Sequence, residues 1–269
     1  MASGVRQSIT AKNHYRRRGR DLRMGNKGGL KHLKRLASPS FWPIHRKEST
    51  WVPKPNPGAH ASADCLPLEI VIRDELSLGR NRREVGTILA GGKVRVDGRP
   101  RRARNHPTGL MDVIEFTDAN TAFRVLPVAG KGLSLVKIPK EETKFKLCKV
   151  LRKGVAPGGR VHYGTHDGRT LAVPPTETQT AAYSTNDTLR ISIPTQRVLN
   201  QIKFEKGNFA IVIAGRNLGK SGKILELQAG TATRPAMVTL EDSTGNKFET
   251  MVDYTFVVGT DKPAIKLGD

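Results

Sequence analysis

Aromatic side chains make up only 5% of this 269-residue chain, and there are just two cysteines, Cys65 and Cys148. So few rings exclude widespread stacking of exposed aromatics on bases, the habit of many single-strand nucleic-acid readers. Two distant cysteines are too few for a four-ligand zinc site and too far apart for a CxxC redox pair. Both read as reduced, partly buried residues of an intracellular protein. Acidic residues are also sparse, 24 against 46 Lys+Arg, which excludes an acidic solvated enzyme surface or an acidic tail protein. No stretch approaches the roughly 18 consecutive apolar residues of a spanning helix, so a polytopic membrane protein is excluded. The Arg-rich N-terminus lacks an apolar core, and no secretory signal is expected.

What is abundant is positive charge, +22 in total. A polyanion is the implied partner. Lipid would call for a basic helix with a large apolar face, which is missing, so nucleic acid is preferred over a membrane. The length suits two or more small modules, and the recurrent Val/Ile/Leu runs from Leu66 to Leu267 suit folded ones, with disorder confined to the N-terminus.

The charge is unevenly placed. Residues 1–62 hold 14 basic and 2 acidic side chains, while residues 63–115 hold 10 and 8. Pro39, Pro43, Pro53, Pro55 and Pro57 prevent the first stretch from forming one long helix, so it reads as an extended basic arm. Within it, Leu30, Leu33 and Leu36 recur at helical spacing among Lys27, Lys31, His32, Lys34 and Arg35, and Trp42 and Trp51 follow. Either this is a solvated tail with two packed aromatics, or it neutralises phosphates while the tryptophans anchor it; the second reading is preferred.

Leu66 to Leu76 is an apolar run with Pro67 at its entry, which predicts a buried helix ending near Gly79. Asn81 and Glu84 form a capping box for a second helix with Val85, Ile88 and Leu89 on its apolar face and Gly91-Gly92 as its stop. Lys93 to Arg99 alternates strictly and runs into an Asp97-Gly98 turn, with the valines inward and Lys93, Arg95 and Asp97 outward. Arg80, Arg82 and Arg83 therefore surround a helix N-terminus, where free N–H groups and the dipole favour a phosphate. Lys93, Arg95, Arg99, Arg101, Arg102 and Arg104 extend the surface, giving 9 cations and 2 acids from Arg80 to Arg104.

The next segment is β-rich, with strands expected over Phe123 to Val128, Leu133 to Ile138 and Leu147 to Leu151. His166 and Asp167 are read as part of a hairpin turn with Gly168 and Arg169, because no nucleophile lies nearby in sequence. Ala214 to Ser221 fits a permissive P-loop pattern. A P-loop must lead into a helix, whereas Gly222 and the run Lys223 to Leu227 predict a second strand, so nucleotide hydrolysis is rejected. Two strands, Asn208 to Ala214 and Lys223 to Leu227, joined by a glycine-rich loop carrying Arg216 and Lys220, are expected instead.

These blocks together resemble ribosomal family S4e of the archaeal and eukaryotic small subunit. The resemblance rests on Gly25 to Leu36 with Trp42, Pro57 to His60 before Cys65 to Leu68, Val94 to Gly98, Gly109 to Val113, Lys146 to Val150, His166 to Arg169, and the final strand pair. It covers about residues 24–265. It implies an α+β, multi-domain chain: a basic arm (24–63), an αL-type RNA-binding module (64–115), a central β-rich domain (116–194) and a C-terminal KOW module with an SH3-like barrel (195–269).

The resemblance also implies a structural ribosomal RNA binder in the cytoplasm, lodged in the ribosome among neighbouring small-subunit proteins. No catalytic residue, cofactor, metal or small-molecule substrate is expected. Lys27, Lys31, His32, Lys34, Arg35, Arg80, Asn81, Arg82, Arg83, Lys93, Arg95, Arg99, Arg101, Arg102, Arg104, Arg216, Asn217 and Lys220 are the expected RNA ligands, with Gly219 as the KOW glycine. Residues 1–23 precede Met24, where family members usually start; they are either a genuine basic extension or the product of an upstream start codon chosen in error, and the second is preferred. The short C-terminus points to an archaeal source. An extra-ribosomal KOW-type regulator of transcription or translation is the alternative. An RNA-modifying enzyme is disfavoured, since about 80 residues remain outside the arm and the two modules, and they show no catalytic or metal-ligand spacing.

Overall fold

Leu33–Lys34 (β1) and Trp51–Val52 (β2) pair antiparallel, with Leu33 opposite Val52 and Lys34 opposite Trp51. The computed structural model to which they belong describes residues 32–157, 159–173 and 183–268. Leu33 and Val52 pack into the first core beside Trp42, whose indole N–H donates to the Cys65 carbonyl at 2.9 Å.

Next in the chain come β3 (Cys65–Pro67), α1 (Leu68–Ile70), α2 (Arg82–Ala90), β4 (Val94–Val96), β5 (Arg99–Pro100), β6 (Pro107–Gly109), β7 (Val113–Phe116), β8 (Thr121–Val128) and β9 (Gly132–Ile138). The apolar run from Leu66 does not start as a helix, because Cys65–Pro67 is held extended by pairing with β6. Pro67 is the N-cap, with φ −61° and ψ 141°, and the helix begins at Leu68. It then widens over Val71–Glu75, where the Leu76 N–H reaches the Val71 carbonyl at 3.0 Å. Leu68, Ile70, Val71, Ile72, Val85, Leu89, Val94 and Val96 are all buried in the first core.

β4, β5, β7, β8 and β9 form a five-stranded sheet in the order β5-β4-β7-β8-β9. The Asp97-Gly98 turn between β4 and β5 forms as the sequence predicts, with positive φ at both residues, 49° and 72°. Its Asp97 is a correction: the carboxylate turns inward, accepting from the Val113 N–H at 3.1 Å and from Lys146 Nζ at 2.9 Å. The sheet also runs across the module boundary expected at residue 116. Phe116 ends β7, which pairs with β8, so the sheet continues without a break to Ile138.

The central sheet contains β10 (Phe145–Val155), β11 (Val161–Thr165), β12 (Thr170–Val173), β13 (Thr188–Ser192) and β14 (Val198–Ile202), ordered β12-β11-β10-β13-β14. β14 lies beyond the boundary expected at residue 195, yet its partner is β13, so that boundary also falls within one sheet. The third sheet contains β15 (Phe209–Val212), β16 (Ser221–Gln228), β17 (Met237–Glu241), β18 (Lys247–Met251) and β19 (Thr255–Gly259), ordered β18-β17-β16-β15-β19. The described residues are thus mostly β-sheet with few helices.

β10 is the hub. Phe145 and Leu147 enter the core of the third sheet, whereas Cys148 and Val150 enter the core of the central sheet. Burial of Phe145–Val150 on both faces forces two lysines inside. Lys149 answers this by donating to the carbonyls of Val252, Asp253 and Thr255 at 3.2, 3.1 and 2.7 Å, which joins the central sheet to the third. Burial still wins in part, lowering its ammonium pKa to about 8.

Candidate nucleic-acid interface

The N-terminal turn of α2 projects Arg80, Asn81, Arg82 and Arg83 into solvent. Asn81 occupies the N-cap with an extended backbone but makes no side-chain cap bond. Glu84 supplies the missing anion one residue earlier than a capping box would, accepting the Arg80 backbone N–H at 2.7 Å. Arg82 is not wholly unopposed: its Nε lies 3.7 Å from the carboxylate of Glu69, which is itself buried and also faces Arg73 at 3.6 Å. Arg83 makes no such pair among the described residues.

The hairpin that follows presents Lys93, Arg95 and Arg99 outward while Val94 and Val96 are buried. Lys93 bridges to Asp118 at 2.5 Å, an exposed pair of little energetic weight. The return segment lays Arg104 along α2 at Gly86 and Arg102 at Gly92, so the cations after β5 rejoin those on the helix. Arg101 is half-buried and lies near His106, whose pKa burial lowers to about 4. Of the two acids between Arg80 and Arg104, Glu84 is tied to the helix start and Asp97 points inside. Only Asp97 is thus withdrawn from the outer face, where Glu84 stays exposed and Asp118 joins it beside Lys93.

On the N-terminal ribbon the expected ligands separate. His32 and Lys34 are exposed and flank Trp51, with the His32 ring 5.4 Å from the indole and Lys34 Nζ 5.5 Å from its ring centre. Arg35 is a correction. It is buried, and its guanidinium donates to the Ile44 carbonyl at 2.9 and 2.6 Å and to Ser38 Oγ at 2.8 Å, leaving it turned toward the fold and away from solvent. Trp42 is buried and Trp51 exposed, so only the second of the two tryptophans faces outward. Lys27 and Lys31 lie outside the described residues.

In the third sheet, the loop between β15 and β16 carries Arg216, Asn217, Gly219 and Lys220. The chain leaves this loop as a strand, which removes the structural context of a P-loop. Gly219 has φ 82°, and a Cβ there would stand 2.4 Å from the Ala129 nitrogen, so only glycine fits against the β8–β9 turn. Asn217 donates to the Glu249 carbonyl at 3.2 Å, and Lys220 lies over the Phe248 ring at 5.2 Å. A cleft of about 440 Å³ opens between this loop, the β8–β9 turn and Phe41, bringing Arg216 and Lys220 together with Lys131. Lys131 was not expected from sequence; its place beside a Gly130/Gly132 turn was the only signal.

A second group of charges, missed entirely in the sequence reading, lies inside. Lys146 is 1% exposed and pairs with Asp97, Asp112 and Asp167, while Arg169 pairs with Asp97 at 2.7 Å and Asp167 at 3.2 Å. His60 Nε2 donates to Asp112 at 3.0 Å. These neighbouring cations hold the carboxyls of Asp112 and Asp167 well below the usual range against the opposing effect of burial, and the three carboxylates hold the Lys146 ammonium well above its own. The turn expected at His166 to Arg169 does form between β11 and β12, and it also delivers two members of this cluster.

Cys148, His166 and Asp167 bring one ligand atom each within 4.8 Å of one another, the spacing of a metal triad. Their donor atoms are already engaged. His166 Nδ1 accepts the Lys149 N–H at 3.2 Å while Nε2 faces the Leu110 carbonyl at 3.1 Å; burial lowers its pKa to about 4. Asp167 receives Lys146, Arg169 and Thr165, and burial beside that carboxylate pushes the Cys148 thiol far up. A protonated thiol and a carboxylate already facing an ammonium do not suit a metal ion.

Comparison with known proteins bears on this arrangement. Residues 119–198 match the model of ribosomal family S4e, and residues 27–63 match that of the RS4NT domain. A small ribosomal subunit protein eS4 from Staphylothermus marinus is 42% identical over 247 residues, covering 91% of this chain and 98% of the relative. One from Methanocaldococcus jannaschii is 43% identical, covering 91% of this chain and all of its own length. Among solved structures, the crystal structure of the 30S ribosomal protein S4e from Thermoplasma acidophilum is similar with a TM-score of 0.62 at 34% identity, covering 73% of this chain and 96% of that one.

Proposed function

Because the chain belongs to ribosomal family S4e, we propose that it is a structural constituent of the small ribosomal subunit that binds and stabilises folded ribosomal RNA through phosphate and shape contacts. The observation that carries this reading is the segregation of charge. Asp97 and Asp112 are drawn into an internal cluster, while Arg80, Arg82, Arg83, Lys93, Arg95, Arg99 and Arg102 face outward on α2 and the hairpin after it and outnumber the exposed acids beside them, Glu84 and Asp118. Helix N–H groups and guanidinium groups converging on one place suit a phosphate, and phosphate contacts fix position rather than read sequence.

On this reading residues 64–115 act as an αL-type RNA-binding module that shares its sheet with residues up to 138. The third sheet acts as a KOW module with an SH3-like architecture, contacting RNA through Arg216, Lys131 and Lys220. The arm before it adds His32 and Lys34, with Lys27 and Lys31 as further candidates. Neighbouring small-subunit proteins are the remaining partners, and no catalytic step is assigned.

Two measurements test the proposal. If about six to ten phosphates are neutralised, affinity for a small-subunit RNA fragment drops by about three to five orders of magnitude between 50 and 200 mM salt by the duplex estimate, and somewhat less for RNA. A flat salt response overturns it. In high-salt gradients the protein co-sediments with small subunits; recovery only from the free pool or with RNA polymerase favours the extra-ribosomal KOW-type regulator instead.

A further inference from the structure

Trp51 is 57% exposed, an unusual place for the largest apolar side chain in a protein with only two tryptophans. Its position follows from the register of the N-terminal ribbon. Leu33 and Val52, paired across β1 and β2, occupy the face that packs on the core, so the other pair, Lys34 and Trp51, is turned outward. The ammonium of Lys34 lies 5.5 Å from the centre of the indole, and the His32 ring meets it edge-on at 5.4 Å and 61°. Glu48 is the sole acidic residue between positions 32 and 57 in the sequence, and its charge acts on Arg73. The setting of the exposed ring is therefore cationic, which complements a nucleotide better than an acidic or purely apolar partner.

We propose that the cross-strand pair Lys34 and Trp51 is a stacking site for one unpaired nucleobase of RNA, with the phosphate beside that base neutralised by Lys34. The indole supplies a rigid apolar face that accepts any base, and Lys34 supplies the charge, so the site recognises an extruded or loop nucleotide without reading its identity. This rests on the ribosomal RNA reading and deepens it: a chain built mainly for phosphate and shape contacts keeps one ring for an unstacked base. Arg35, next to Lys34, contributes to the platform only indirectly, by fixing the ribbon through the Ile44 carbonyl.

The test uses the full chain, a hairpin RNA with a loop of unpaired bases, and a blunt duplex RNA of equal length. In the free protein acrylamide quenches the Trp51 emission, and the loop RNA replaces that quenching with its own; both effects vanish in Trp51→Phe. Trp51→Ala weakens loop-RNA binding by about five- to 150-fold, leaves duplex binding unchanged, and leaves the salt slope unchanged because no charge is removed. Trp51→Phe retains most of the loop affinity. Near-ultraviolet circular dichroism, dominated by buried Trp42, confirms that the variants are folded. The stacking site is overturned if Trp51→Ala binds both RNAs like the parent, if it loses both equally, or if Trp51 is shielded from acrylamide before RNA is added. A parent chain that binds neither RNA overturns the ribosomal RNA reading itself.

Discussion

The Lys146 ammonium donates to the Asp112 carboxylate across the join between the first and central sheets, and the two side chains are 1% and 4% exposed. Asp97 and Asp167 face the same ammonium. Removing the cation leaves three inward carboxylates with only Arg169 and His60 near them. Lys146→Met therefore destabilises the protein by about 3 to 5 kcal/mol, the usual consequence of breaking a buried pair from one side. Urea melts at pH 7 measure it, and a loss under about 1 kcal/mol would falsify the assignment of Lys146 as the centre of the cluster.

Acid sensitivity begins at the histidines. His166 and His106 both have folded pKa values lowered to about 4 from 6.5, so between those limits the unfolded chain takes up protons that the folded one refuses. Stability then falls as pH drops from 6.5 to 4, by about 1.4 kcal/mol per pH unit for each histidine. Below 3.8 the depressed carboxyls of Asp112 and Asp167 act in the same direction, since the unfolded carboxyls protonate first. Melting temperatures recorded from pH 7 to 4.5 should show a decline that His166→Gln makes shallower by about one proton; an equal slope in the variant counts against a neutral buried His166.

Gly219→Ala meets two obstacles, a backbone at φ 82° and a contact of 2.4 Å to the Ala129 nitrogen. Left-handed backbone in a non-glycine residue costs about 1 to 3 kcal/mol, and the clash pushes the loop off the β8–β9 turn. The expected result is a lower melting temperature together with weaker RNA binding, as the cleft between Arg216, Lys131 and Lys220 opens. Gly130→Ala is the control, because its Cβ would meet nothing within 4 Å. Equal behaviour of the two variants would show that the close approach at Gly219 is unimportant.

Charge reversal separates binding from folding at adjacent arginines. Arg83→Glu removes an exposed cation from the start of α2 and should weaken RNA binding while leaving the melting temperature unchanged. Arg82→Glu places a second carboxylate opposite buried Glu69, so it should lower both. Affinity and thermal melts on the two variants are sufficient. Identical thermal behaviour argues against the Arg82–Glu69 contact, and unaltered affinity in Arg83→Glu argues against the phosphate-facing role of this turn.

Local signals carried the sequence reading where one element decides the outcome. Val94 and Val96 alternate with charged residues, and Asp97-Gly98 has the turn chemistry that closes them into a hairpin. Gly222 ahead of the run Lys223 to Leu227 excluded a helix after the glycine-rich loop. Failures came where a distant partner decides. Pairing with Pro107–Gly109 kept Cys65–Pro67 extended, although the apolar run has the composition of a helix. Arg35 looked like its basic neighbours, but the chain bends so that the Ile44 carbonyl lies against it. The internal cluster was the least legible, since Asp97, Asp112, Lys146 and Asp167 each read locally as a turn or strand residue. The family blocks containing His60, Asp97, Asp112, Lys146 and His166 to Arg169 turn out to meet inside the molecule, so the most recognisable motifs hold the sheets together while the less distinctive arginines face outward.

The pairing of Asp97 with Arg169 spans 72 residues, and this has a consequence for the order of events at birth. During synthesis Asp97 and Asp112 emerge well before Lys146 and Arg169, the cations that neutralise them. Through that interval Asp97 lacks its counter-ions and Asp112 has His60 alone, while the cations from Arg80 to Arg104 are already synthesised. Arrival of the turn at Arg169 is thus the step that completes the counter-ions between the two sheets.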